Sequence, residues 1–159
     1  MSWSEREIDR AQKVHEVKRA VIAILDDEQE RLRAMLPLLA RDYPGCEVAT
    51  FENAPDMIAW LVVNLHRARL LSLDHDLGPT QRRGDESFDP GTGRDVADFL
   101  AGRPAVCPII LHTTNHLAAP GMVDVLETSG WEVTHVVPYG DLAWVKERWI
   151  EEVRRVLPK

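Results

Sequence analysis

The residues with chemistry to offer are carboxylates, and they stand where apolar runs stop. Asp26 and Asp27 follow Val21–Leu25, and Asp74 follows Leu70–Leu73 inside the string LDHDLG. Acids at the ends of buried strands suit a hard divalent cation, magnesium or manganese, held where a phosphate can reach it. Without a cation, clustered carboxylates repel one another and the pKa of some must rise. Helix capping explains one of these Asp residues easily and all three together poorly.

A further apolar run, Cys107–His112, delivers Thr113, Thr114 and Asn115 to the same edge. Hydroxyl, amide and the following backbone N–H groups suit phosphate oxygens. Turn formation and capping account equally well for Thr114. His75 and His112 flank the acids, and an imidazole titrates near neutral pH, so each is a candidate general acid or base. The candidate site therefore comprises Asp74, His75 and His112 as catalytic groups and Thr113, Thr114 and Asn115 as phosphate ligands.

These residues need a parallel sheet to bring them together, and the chain reads as one. Candidate strands are Val21–Leu25, Cys46–Phe51, Leu70–Asp74, Cys107–His112 and Glu132–Val137. The first, third and fourth are nearly continuous in Val, Ile and Leu, as strands buried on both faces should be. Between them the period becomes helical: Leu32, Met35, Leu36 and Leu39; Ala54, Ile58, Leu61 and Leu65; Val96, Phe99 and Leu100; Met122, Val125 and Leu126. Leu142, Val145, Trp149, Val153 and Val156 complete the set. Breakers such as Pro44-Gly45, Gly102 and Gly130 fall at the connections. The expectation is a doubly wound α/β fold with a five-stranded parallel sheet in a three-layer sandwich.

Two parts stand outside that pattern. Residues 2–18 read as an extra, mostly charged N-terminal helix within a 1–19 extension, able to dock on the 20–159 domain, pair with a second copy or fray. Residues 79–93 (PTQRRGDESFDPGTG) read as a long polar loop, a candidate lid or substrate-reading element directly after the acids.

Bulk properties narrow the partners. At 159 residues the chain fits one domain, and a formal net charge of -7 argues against general DNA binding or an anionic membrane surface. A small phosphorylated ligand or an RNA end remains compatible, because a metal inverts the local sign. Cys46 and Cys107 read as buried thiols of a reducing compartment. A charged N-terminus and the lack of a long apolar stretch lead to the expectation of a cytoplasmic protein with no membrane span.

From Val21 to about Val156 the arrangement resembles the receiver domain of response regulators, through Asp26-Asp27, Asp74 and Thr113. That resemblance implies a flavodoxin-like topology and magnesium at Asp26 and Asp27. It also implies a phospho-accepting role for Asp74 and a backbone-carbonyl metal ligand at Asp76. Receivers carry a Lys before the proline that follows strand five; here Val137 precedes Pro138. More particularly, LDHDLG (Leu73–Gly78), GTGRDVADFL (Gly91–Leu100), PIILHTTN (Pro108–Asn115) and GWEVTHVVP (Gly130–Pro138) together resemble the receiver-like domains named for processing cyclic phosphates.

The resemblance implies a magnesium-dependent phosphoesterase acting on a cyclic phosphate of a nucleotide, RNA end or ADP-ribose derivative. One histidine would activate water, or Asp74 would attack directly, and the other histidine would protonate the leaving ribose oxygen. The alternatives are a single-domain receiver phosphorylated on Asp74 and acting through a protein partner, and a folded interaction module without chemistry. Arg82, Arg83 and Arg94 are further candidates for a phosphate, and Trp131 or Tyr139 for stacking on a base, though each suits a surface or packing role equally well.

Overall fold

A computed structural model describes residues 18–159, so the expected N-terminal helix lies outside the described residues. Five parallel strands form the sheet: β1 (Val21–Leu25), β2 (Glu47–Phe51), β3 (Ala68–Leu73), β6 (Ile109–Leu111) and β7 (Val133–His135). Their spatial order is β2-β1-β3-β6-β7. β1 lies beside β3, so Leu25 pairs with Leu73 and the acids that follow both strands emerge together. β6 flanks β3 on its other side, with Leu111 opposite Leu73, which brings His112 and Thr113 to the same edge.

Both faces are covered, as the apolar runs require. All five residues of β1 are fully buried. One core joins alternate sheet residues to Met57, Leu61, Val96, Leu100, Met122 and Leu126 of α2 (Ala54–Asn64), α3 (Gly93–Ala101) and α4 (Ala119–Thr128). The other packs Ile22, Ile24, Leu70 and Ile110 against α1 (Gln29–Asp42) and the C-terminal helix. In α1 the stripe narrows to Leu32, Met35 and Leu39, with Leu36 exposed.

The last helix departs from a simple stripe. Val145–Trp149 form a π-helical turn that runs into α5 (Ile150–Val156). The wider turn brings Trp144, Val145, Trp149 and Ile150 all into the core, where a uniform 3.6-residue period would expose part of that set.

The 79–93 segment is also more ordered than its composition suggests. It contains an antiparallel hairpin, β4 (Gln81–Arg83) and β5 (Glu86–Phe88), turned at Gly84, whose φ is +63°. Three-residue strands with polar side chains on both faces leave no alternation to read. The excursion closes where Asp76 bridges Thr92 and the Gly93 amide donates to the His75 carbonyl (2.9 Å). Thr92 and Asp95 then form a capping box that starts α3.

Cys46 lies just before β2 and Cys107 two residues before β6; both are partly buried free thiols packed against the two cores. Burial pushes the Cys107 thiol up to about 12. Among the described residues no helix is long and apolar enough to cross a membrane.

Candidate metal and phosphate site

Each of the three Asp residues offers a carboxylate oxygen, and these oxygens lie within 4.8 Å of one another. In an octahedral magnesium site, bonds of ~2.1 Å put neighbouring oxygens ~3 Å and opposed ones ~4.2 Å apart. The all-oxygen donor set and its spacing therefore fit a hard divalent ion after small side-chain adjustments. The Asp76 carboxylate is exposed and engaged elsewhere, so it is not part of this set.

Asp26 is fully buried, its Oδ1 accepting from the Glu28 amide at 2.9 Å. Asp74 is 5% exposed; its Oδ1 accepts from the His75 amide at 2.8 Å. Burial, aided by the Asp26 charge, pushes Asp74 up to about 6 against the opposing charges of His112 and Arg31. Asp27 is raised as well, by burial and then by Asp26. The acids thus sit together at an electrostatic cost that a bound cation would offset.

His112 occupies a different position from a residue facing phosphate. Its side chain has no exposed surface, its Nε2 lies 3.1 Å from Asp26 Oδ2, and its Nδ1 lies 2.7 Å from Ser72 Oγ. The Trp149 indole N–H donates to the same Ser72 oxygen at 2.9 Å. Nε2–H donates to Asp26, since a carboxylate only accepts, and on the other side of the ring Nδ1 meets the Ser72 hydroxyl that already accepts from the indole. Ser72, His112 and Asp26 thus form a serine–histidine–aspartate chain, but a fully buried serine is no nucleophile.

His75 is the histidine nearer solvent, with a side chain 15% exposed and Nδ1 held 2.8 Å from Asp76 Oδ1. Its Nε2 has no partner among the described residues. Asn115 Nδ2 reaches both Asp76 (3.2 Å) and His75 Nδ1 (3.3 Å), while Asn115 Oδ1 accepts from the Ala118 amide. Thr113 is buried, its hydroxyl accepting from the Asn115 amide at 3.0 Å. Turn and capping duties therefore fall to Thr113 and Asn115, and Thr114 is the exposed member of the three.

Arg31 is a member of the site that sequence reading passed over. Its Nη1 is 3.2 Å from Asp74 Oδ2 and 3.6 Å from Asp26 Oδ2. The other arginines considered are engaged away from the acids, Arg83 with Asp56 and Arg94 with Asp98. Arg82 contacts the Asp85 carbonyl. Trp131 is buried with its N–H on the Leu100 carbonyl, so it has no face to offer a base. Tyr139 is exposed and bonds to Glu147.

An order β2-β1-β3-β6-β7 with acids at the ends of its central strands defines a receiver-type α/β domain, and solved receivers share it. The chain is similar to the phosphorylated cyanobacterial phytochrome response regulator RcpA at 16% identity and a TM-score of 0.67, covering 89% of this chain and 96% of that one. It is similar to the Mn(2+)-bound form of response regulator Rcp1 at 16% identity and a TM-score of 0.62, covering 88% and 96%. A response regulator receiver domain from Rhodospirillum rubrum gives 16% identity and a TM-score of 0.59, covering 86% and 89%. No curated protein matches the sequence. The chain belongs to the family of cyclic-phosphate processing receiver domains, whose pattern matches residues 21–128.

Proposed function

We propose that the protein is a divalent-cation-dependent phosphoesterase that opens a cyclic phosphate ester of a nucleotide, RNA end or ADP-ribose derivative. The observation that carries this reading is the end of the fifth sheet strand. There Val137, apolar and 55% exposed, stands before Pro138, so no cation from that position holds an acyl phosphate on Asp74. Membership of a family described by cyclic-phosphate processing supports the same direction.

Magnesium or manganese at Asp26, Asp27 and Asp74, with the Asp76 carbonyl as a further ligand, would neutralise the phosphate and stabilise charge building on its oxygens. His75, its Nδ1 fixed by Asp76, has Nε2 available to move a proton to or from water or the leaving ribose oxygen. His112 acts through Asp26, holding that carboxylate at a fixed angle, and is a positioning residue. The exposed Thr114 hydroxyl is a donor for phosphate oxygens. Water adds to phosphorus, one ring P–O bond breaks, and the released oxygen takes a proton.

The test is a panel of cyclic phosphates offered with magnesium or with chelator, with products identified by 31P NMR. Magnesium-dependent conversion of a cyclic ester to a monoester is expected. A second reading, a receiver phosphorylated on Asp74, is favoured by the position of that carboxylate at the end of β3 and the likeness in fold to a phosphorylated regulator. Stable labelling of Asp74 by a small phosphodonor, with every cyclic ester left intact, would replace the first reading by the second.

A further inference from the structure

Arg31 is the third residue of α1, and a cation in the first turn of a helix opposes the dipole there. The arrangement around it explains why the chain accepts that cost. The Arg31 guanidinium meets Asp74 and Asp26 through Nη1 and lies 3.4 Å from Glu28 Oε2 through Nε. Its central carbon stands 5.8 Å from the centre of the Trp144 ring, which backs the group from the core side. Among the described residues no other Lys or Arg reaches any of the three site Asp residues.

Two features point outward from that anchor. Arg31 Nη2 has no acceptor among the described residues, so both N–H donors of that nitrogen remain available. A cavity of about 390 Å³ is lined by Arg31, exposed Thr114 and Trp144 together with the carboxylates Glu28, Glu30 and Asp141, so Arg31 is its one cation among the described residues. Tied to carboxylates through Nη1 and Nε and lining this cavity, the guanidinium keeps Nη2 for a charge-assisted contact with a tetrahedral oxyanion.

We propose that Arg31 is the phosphate-binding cation of this site, contributed by the first turn of α1 where strand five contributes only Val137. The assignment rests on the reading of the site as one for a phosphate ester. It makes Arg31 screen Asp26 and Asp74 when no ligand is bound and hold phosphate oxygens when one is.

The experiment uses inorganic phosphate and Mn2+ as probes on the full chain. Mn2+ is titrated first, then phosphate at saturating Mn2+, by calorimetry, for the parent, Arg31→Gln and Arg31→Lys. Arg31→Gln is expected to weaken phosphate binding at least ~10-fold, the effect of losing a charge-assisted pair. Mn2+ should bind it as tightly as the parent or more so, because a neighbouring positive charge has gone. Arg31→Lys should recover part of the phosphate affinity, a point charge replacing a fork.

Unchanged phosphate binding in Arg31→Gln overturns the assignment. So does a parallel loss of Mn2+ and phosphate affinity, which marks Arg31 as a support for the acids. Should the variants not fold, the Nε–H NMR signal of Arg31 in the parent decides: a shift on adding phosphate is expected, and a static signal overturns the proposal. Inorganic phosphate is not turned over, so the outcome is independent of the cyclic-ester panel. A panel without turnover removes the proposed hydrolase and leaves the Arg31 result standing.

Discussion

His112 Nε2 lies 3.1 Å from Asp26 Oδ2, and neither side chain has any exposed surface. Behind the ring, Ser72 and Trp149 complete a line of hydrogen bonds that begins in the core and ends on a carboxylate of the candidate metal site. A buried acceptor deprived of its donor costs ~1–3 kcal/mol, and truncating a packed ring adds a cavity cost. His112→Ala is therefore expected to lower stability by about 3 kcal/mol and to weaken Mn2+ binding, because Asp26 loses its orientation. Denaturant unfolding and Mn2+ titration read the two effects. A variant equal to the parent in both would remove His112 from the site's support.

Gly93 tests how closely α3 must approach the acids. A Cβ there would stand 2.0 Å from the Asp74 carbonyl oxygen and 3.0 Å from His75 Cα. Backbone cannot yield as a flexible side chain can, so Gly93→Ala must push the Asp74–His75 segment away from α3. Overpacking of this kind costs ~1–3 kcal/mol. Gly93→Ala should lose stability in that range and also lose metal affinity. At Gly45, where a Cβ would meet nothing, the same substitution should leave metal affinity unchanged.

The raised Asp74 carboxyl sets a pH dependence for the metal-free protein. With a folded value of about 6 against 3.8, the folded state holds its proton longer than the unfolded chain. Stability from this group is complete below about pH 3.8 and is lost as pH rises to about 6. The difference amounts to roughly 3 kcal/mol. In chelator, Asp74→Asn should remove this decline from the stability–pH profile measured by urea titration. Identical slopes for parent and variant would place the strain elsewhere, with Asp27 the next group to examine.

His75 should separate turnover from binding. A positioned acid or base contributes ~10²–10⁴-fold. His75→Ala is expected to cut hydrolysis of a cyclic ester by that range while Mn2+ and phosphate titrations stay as in the parent. Asp76→Asn, which alters the partner of Nδ1, should shift the pH optimum of turnover. Full activity in His75→Ala would send the proton-transfer role to solvent or to another side chain.

Much of this site was legible because strands buried on both faces are written as unbroken apolar runs. Val21–Leu25 and the Leu-rich β3 announced themselves, and the carboxylates that follow them marked the edge that mattered. Arg31 escaped because an arginine among Glu28, Glu30 and Arg33 reads as part of a solvated helix face. Its one signal was a positive charge in the first helical turn, against the local dipole. Ser72 had a signal as well, a single hydroxyl among leucines, and its meaning emerged only with His112 and Trp149 beside it. The burial of His112 was not readable, since nothing local separates a strand-end histidine that faces solvent from one beneath a neighbouring acid. The β4–β5 hairpin was hidden for the reason given above: six polar or charged residues and a single Phe carry no period.

One titration bears on the centre of this account, the meeting of Asp26, Asp27 and Asp74 around one divalent ion. Mn2+ binding followed by electron paramagnetic resonance, for the parent and for Asp26→Asn, Asp27→Asn and Asp74→Asn, counts sites and compares affinities directly. One ion per chain is expected, competed by Mg2+, raising thermal stability and weakened in each variant by ~10-fold or more, about 1.4 kcal/mol. A parent that takes up no Mn2+ at millimolar concentration, or three variants that bind it as the parent does, would contradict the account.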